Sequence, residues 1–164
     1  MNEIITYLNI TDIRKMVAEV LNIPLTRVIE WGKQQDVSNL KFFTSVRFNP
    51  SSQLSTHKKF NAVNEVQTIA SQKETVAVIG FHGDNSLLMA EFFQLALISE
   101  QASHLFDKMK VGLVRTSDVN NLTIPFGGGY EERAEIQLVL SHNFVIEHKQ
   151  NKLSSAEIGL VLNQ

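Results

Sequence analysis

Tyr130-Glu131-Glu132-Arg133-Ala134-Glu135-Ile136-Gln137-Leu138-Val139-Leu140-Ser141 is the stretch on which the fold turns. Ala134, Ile136, Leu138 and Leu140 alternate with Glu135, Gln137, Val139 and Ser141, and an extended chain sends the two sets to opposite faces. The period of two predicts a long strand over Tyr130–Glu147 with one face buried. Working outward, Thr75–His82 is apolar on both faces and is expected at the centre of the same sheet. Leu40–Phe48 is rich in β-branched and aromatic residues, and Asn61–Ser71 has a polar face at Asn64, Gln67 and Ser71; both read as strands. Val111–Arg115 and Ala156–Leu162 complete the set.

Helical spacing appears in three places. Ile13, Met16, Val17, Val20 and Leu21 mark a helix over Asp12–Leu21, capped by Thr11 or Asp12 and ended by Asn22-Ile23-Pro24. Asp84 is a good N-cap for a helix over Asn85–Ser99, which is apolar on nearly every side: Leu87, Leu88, Met89, Phe92, Phe93, Leu95, Leu97 and Ile98. A helix of that kind is deeply buried or half-covered by a partner. A shorter amphipathic helix follows over Gln101–Met109. Between these elements lie a turn around Leu25–Ile29 and a polar loop from Trp31-Gly32 to Asn39. Asn49–Lys59 is a polar linker, and Ser117–Gly129 is a long loop. No repeat or low-complexity tract interrupts the chain, so one α+β domain over residues 1–164 is expected: a mixed, mainly antiparallel sheet with helices on one face.

Composition narrows the function classes. The 164 residues hold 15 basic and 17 acidic side chains, a net charge of −2, which provides no electrostatic drive toward nucleic acid in general. Cysteine is absent, which excludes disulfides, thiolate metal sites and a cysteine nucleophile. The first residues show no basic and apolar leader pattern. The longest apolar stretch, Leu87 to Ile98, is well short of the ~20 residues that span a bilayer.

No constellation of catalytic residues emerges. His57, His82, His104, His142 and His148 form no metal-ligand spacing such as HExxH. His82 and Asp84 flank a strand-to-helix turn and could share a site, although capping alone accounts for Asp84. Gly127-Gly128-Gly129 precedes a strand rather than the helix that a phosphate-binding loop requires, and reads as a hinge or loop tip. Glu131 and Glu132 are adjacent in an extended segment and point to opposite faces, so they suit separate ion pairs better than one acid–base pair. No serine sits in a GxSxG elbow. Neither catalysis nor a cofactor is expected, and no metal. Two features ask for assembly instead. Asn49–Lys59 and Ser117–Gly129 are long beside the ~4–6 residues of typical connections, and the apolar helix carries more surface than one small sheet covers.

The opening helix followed by Asn22-Ile23-Pro24-Leu25-Thr26-Arg27-Val28-Ile29-Glu30-Trp31, the strand-to-helix passage Thr75–Leu97, and the strand entrance Tyr130-Glu131-Glu132-Arg133-Ala134-Glu135-Ile136-Gln137-Leu138 together resemble bacteriophage neck or tail terminator proteins. The likeness covers most of the chain. It departs at Asn39-Leu40-Lys41, where such proteins often carry a proline before the first long strand. The resemblance implies a structural virion protein of the tail or neck, assembled in the host bacterial cytoplasm as a homo-oligomeric ring of six subunits. Such a ring caps the tail tube, ends its polymerisation and joins the tail to the neck. Its implied partners are the tail tube protein and the neck and head–tail connector proteins, with the tail sheath as a further candidate. DNA would pass through the lumen without sequence-specific binding, and no membrane is involved. Contacts are expected at Phe126, Gly127, Gly128, Gly129, Tyr130, Glu131, Glu132 and Arg133, with Asn49–Lys59 (His57, Lys58 and Lys59) as a second arm. The alternatives are another head–tail joining protein, such as a stopper or tail-completion factor, and a small-ligand-binding domain or enzyme using His82 and Asp84.

Overall fold

Two long antiparallel strands form the spine of the protein, whose structure, a computed structural model, describes residues 2–149. Strand β5 (Val66–Gly83) pairs with β10 (Arg133–Lys149) in unbroken register, from Arg133 opposite His82 to Lys149 opposite Val66. At ~3.3 Å per residue the ladder is roughly 55 Å long. Shorter strands line its edges end to end. On the β5 side lie β3 (Phe42–Phe48) and β4 (Ser52–Asn61). On the β10 side lie β7 (Asn120–Asn121), β6 (Gly112–Thr116) and β1 (Asn2–Thr6). Strand β2 (Val28–Glu30) adds to β3 in parallel, the one parallel pairing among the described residues. Strands β8 (Ile124–Phe126) and β9 (Gly129–Glu131) form a separate hairpin. The architecture is α+β with a mainly antiparallel sheet, as the alternation predicted.

The helices cover one face of one half of this sheet. Ala134, Ile136, Leu138 and Leu140 of β10, with Ala77, Ile79 and Phe81 of β5 and Val46 of β3, are buried in a single core. Against them pack Ile13, Met16 and Val17 of α1 (Ile10–Val20), Ala90 and Phe93 of α2 (Ser86–Ala96), and Ala102 and Phe106 of α3 (Glu100–Met109). Phe81 and Phe93 meet as tilted rings 5.7 Å apart, a geometry that suits the positive ring edge of one to the negative face of the other.

Helix α1 starts at Ile10, two residues earlier than expected, and its cap is Asn9 rather than Thr11 or Asp12. Asn9 is extended, and its side-chain oxygen accepts the Thr11 amide hydrogen at 2.9 Å. At the other end Asn22 takes φ 51°, while the Ile23 N–H donates to Ala18 and that of Asn22 to Glu19. That pair of bonds closes the helix, and Pro24 prevents its continuation.

Other expectations need correcting. Residues 49–59 are not a linker, because β4 occupies most of them; the strand is exposed on both sides and so shows no apolar alternation. Residues 61–71 and 75–82 are not two strands. The chain turns at 62–65, where the Asn61 side chain accepts from the Val63 amide and Glu65 takes φ 54°, and then runs unbroken through β5. Residues 117–129 contain β7 and β8, and the turn at residues 25–29 leads into β2. Strand β1 was not foreseen. The strand expected over 156–162 lies outside the described residues.

Candidate assembly surfaces

The glycine run closes the β8–β9 hairpin. Gly127 and Gly128 take φ of 55° and 85°, and a two-residue turn with both centres left-handed matches the twist of a hairpin. A Cβ on either would meet nothing, so the tip is open. Tyr130 beside it is 80% exposed. Glu131 and Glu132 do serve different partners. Glu131 accepts from Arg133 Nε and Nη2 at 3.1 and 2.8 Å, a partly exposed pair of small energetic weight. Glu132 reaches the start of α2 and accepts the Asn85 backbone N–H at 2.8 Å.

That contact replaces the cap assigned to Asp84 from sequence. A capping side chain needs extended backbone at the N-cap, whereas Asn85 is left-handed at φ 60° and makes no side-chain cap. Asp84 instead gives its amide hydrogen to the Lys41 carbonyl at 3.0 Å. The Glu132 carboxylate brings negative charge to the positive end of α2, worth about 0.3–1 kcal/mol beyond the hydrogen bond.

His57, Lys58 and Lys59 lie at the opposite end of the spine, on edge strand β4. His57 pairs with Ala70, Lys58 with Ile69 and Lys59 with Thr68, so Lys58 faces one side of the sheet and its two neighbours the other. They form no single basic patch. Charges of this kind keep an open strand edge from pairing indiscriminately. Arg133 and Lys58 are separated by about a dozen residues of β5, roughly 40 Å. The two expected contact regions are therefore distinct surfaces, not one.

Helix α2 carries a third surface. Ser86, Ala90, Phe93 and Leu97 face the core, and a second stripe, Leu88, Phe92, Leu95 and Ile98, faces outward. Their exposures are 62%, 51%, 71% and 82%. Both stripes are spaced at three and four residues, which is why the helix reads as apolar all round. Beside it, Leu95 and Ile98 join Leu113 and Val114 of β6 in a groove of about 430 Å³ that also includes Glu91. The surplus apolar surface was legible in sequence; which residues form it was not.

On the helix-free face, Trp31, Ser45, Arg47, His82, Arg133 and Glu135 border a cleft of about 310 Å³. His82 Nε2 is 2.9 Å from Ser45 Oγ, and the His82 ring stacks on Phe43 with centroids 4.6 Å apart. Gly80 makes room for the pair: a Cβ there would lie 2.6 Å from Ser45 Oγ. Burial, helped by the Arg133 charge, holds His82 below the ordinary histidine range, against the opposing pull of Glu131 and Glu135. Asp84 makes no hydrogen bond to His82, so the two residues considered together from sequence do not form one site. On the opposite face His142 Nε2 meets Thr75 Oγ1 at 2.8 Å, and its burial likewise lowers its pKa. Among the described residues no three histidine, aspartate or glutamate side chains gather as metal ligands. No helix among them is long and apolar enough to cross a membrane.

A protein-family model described as phage neck terminator protein matches residues 11–163, nearly the whole chain. No curated protein matches the chain.

Proposed function

Because the chain belongs to the phage neck terminator family, a structural group of the phage tail and neck, we propose that it acts as a ring. The ring, of six subunits and built from one terminator-like domain per chain, caps the end of the tail tube, stops its polymerisation and joins it to the neck. Its neighbours are further copies of itself, the tail tube protein and the head–tail connector proteins, met in the host cytoplasm during assembly. DNA passes through the lumen, and the near-zero net charge suits a conduit that must not hold phosphates.

The observation that carries the assembly reading is the outer stripe of α2. Four large apolar side chains on α2 and the turn that ends it, each at least half exposed, are left uncovered among the described residues. Isolated exposed apolar residues are ordinary; a continuous stripe beside a groove marks a contact surface. The two hairpin regions at opposite ends of the spine support the same reading, since a ring needs different patches on its two sides.

Particle mass across a concentration series, followed by negative-stain imaging with and without purified tail tubes, tests the proposal. Rings of about six subunits, free or on tube ends, are the expected result. A chain that stays monomeric at every concentration and ignores tube ends overturns it.

A further inference from the structure

The sheet face that carries the helices continues beyond them. Past residue 142 of β10 and before residue 75 of β5, four strands (β1, β10, β5 and β4) extend as an arm over which, among the described residues, no helix packs. The unbroken register of β5 and β10 keeps Phe144 and Ile146 on the side of Leu138 and Leu140. One cross-strand row on that side reads Ile4, Ile146, Ile69, Lys58. Ile4 is 58% exposed, and Phe144, Ile146 and Ile69 are only half-buried. The reverse face carries Glu3, Glu147 and Lys59. Along this row the arm is apolar on one side and charged on the other, and the apolar side faces the direction from which helices cover the rest of the sheet.

Among the described residues there is therefore a sheet face without a helix and a helix face without a sheet. Domains are stable when such faces are layered on each other. Within one chain the two cannot meet, because the outer stripe of α2 points away from its own sheet. We propose that they meet between copies: the stripe Leu88, Phe92, Leu95, Ile98 of one subunit lies on the Ile4–Ile146–Ile69 row of the next, continuing the helix layer across the boundary. This rests on the ring reading and specifies its contact.

Charge fits the same pairing. Lys58 ends the apolar row, and Glu91 borders the α2 stripe one turn from Leu95. Neither forms an ion pair within the described chain. Stripe on row brings Glu91 toward Lys58. Stripe on stripe would instead place Glu91 near Glu91, and row on row would place Lys58 near Lys58, each opposed by like charge. The size is also suitable. The stripe with Val114 puts five large apolar side chains, each about half exposed or more, on one surface, and a stable interface buries about 800 Å² per partner once its polar rim is included. The contact joins unlike patches, so repetition propagates head to tail and closes when the rotation per subunit divides the circle.

The cysteine-free sequence makes the test direct. Leu95→Cys and Ile4→Cys, both at exposed positions, are prepared separately and treated with a short bismaleimide, alone and mixed. Cross-linked dimers in the mixture but in neither single preparation are the expected result. Leu95→Cys linking to itself, or no link in any sample, overturns the pairing. A charge exchange provides an independent reading. Glu91→Lys and Lys58→Glu should each raise the concentration for half-assembly about fivefold, and the double variant should return it to within about twofold of the original. Additive losses in the double variant also overturn the pairing. Ring-sized particles without the mixed cross-link would remove this contact and leave the ring standing. The mixed cross-link in particles no larger than dimers would keep the contact and remove the ring. Monomers with no cross-link, even with tail tubes present, would remove both.

Discussion

Replacing Gly83 by alanine isolates the junction that sets α2 on the sheet. Gly83 ends β5 at φ 91°, and a Cβ there would lie 2.0 Å from the Lys41 carbonyl oxygen and 2.9 Å from its carbon. A side chain at this φ costs about 1–2 kcal/mol in backbone strain alone. To regain ordinary contact the Lys41 carbonyl must retreat by roughly 1.5 Å. That carbonyl accepts the Asp84 amide hydrogen at 3.0 Å, and losing the bond costs about 1 kcal/mol. Strain in β3 from the displacement adds about 1–3 kcal/mol. The expected destabilisation is about 3–6 kcal/mol. Gly128→Ala is the matched control, since Gly128 has nearly the same φ, 85°, with open space around it. Its cost should be only the backbone strain, and the entropic gain from restricting the unfolded chain is common to both variants. Urea denaturation of the two, with equal slopes, should therefore show Gly83→Ala lower by at least about 2 kcal/mol. A difference below about 0.5 kcal/mol would refute the argument that backbone crowding, and not φ, requires glycine here. The Gly83 N–H also donates to the Glu132 carbonyl at 3.0 Å, so the same substitution should disturb the entrance of β10.

Three further perturbations test other parts of the structure. Glu132→Ala should cost about 1 kcal/mol by removing the acceptor at the start of α2, Glu132→Gln distinctly less, and Glu131→Ala under about 0.5 kcal/mol, all by thermal melts; equal losses for the three would contradict the capping role. Phe93→Ala should destabilise by about 3–5 kcal/mol, whereas its exposed neighbour Phe92→Ala should leave the isolated chain within about 1 kcal/mol and act on assembly, read by denaturation and sedimentation together. His82 and His142 are both held below the ordinary value of 6.5 by burial, so below that pH the unfolded chain binds more protons than the folded one. Stability should then be complete above about pH 6.5 and decline as the pH falls, and a His82→Gln/His142→Gln double variant should flatten that decline in melts taken at successive pH values.

The local interactions of the sequence determined the class of fold. The alternation from Ala134 to Leu140, the doubly apolar Thr75–His82 and the helical spacing of Ile13, Met16, Val17 and Val20 each specify an element by which faces must leave water. The glycine pair at the hairpin tip and the surplus apolar surface of α2 were legible for the same reason. Residues 52–61 were not, because a strand exposed on both sides has no hydrophobic pattern to display; its place follows from the backbone ladder that β5 offers. The α2 cap was also decided elsewhere in the chain: Gly83 and Asn85 turn left-handed, which excludes Asp84, and Glu132, 47 residues downstream, takes the free amide hydrogen. His82 likewise meets Ser45 rather than Asp84, since adjacent strands bring distant residues side by side while a turn separates near ones. Which of the two stripes on α2 faces outward is a property of the tertiary structure too. Both stripes are apolar and helically spaced, and only the position of the sheet determines which one is buried.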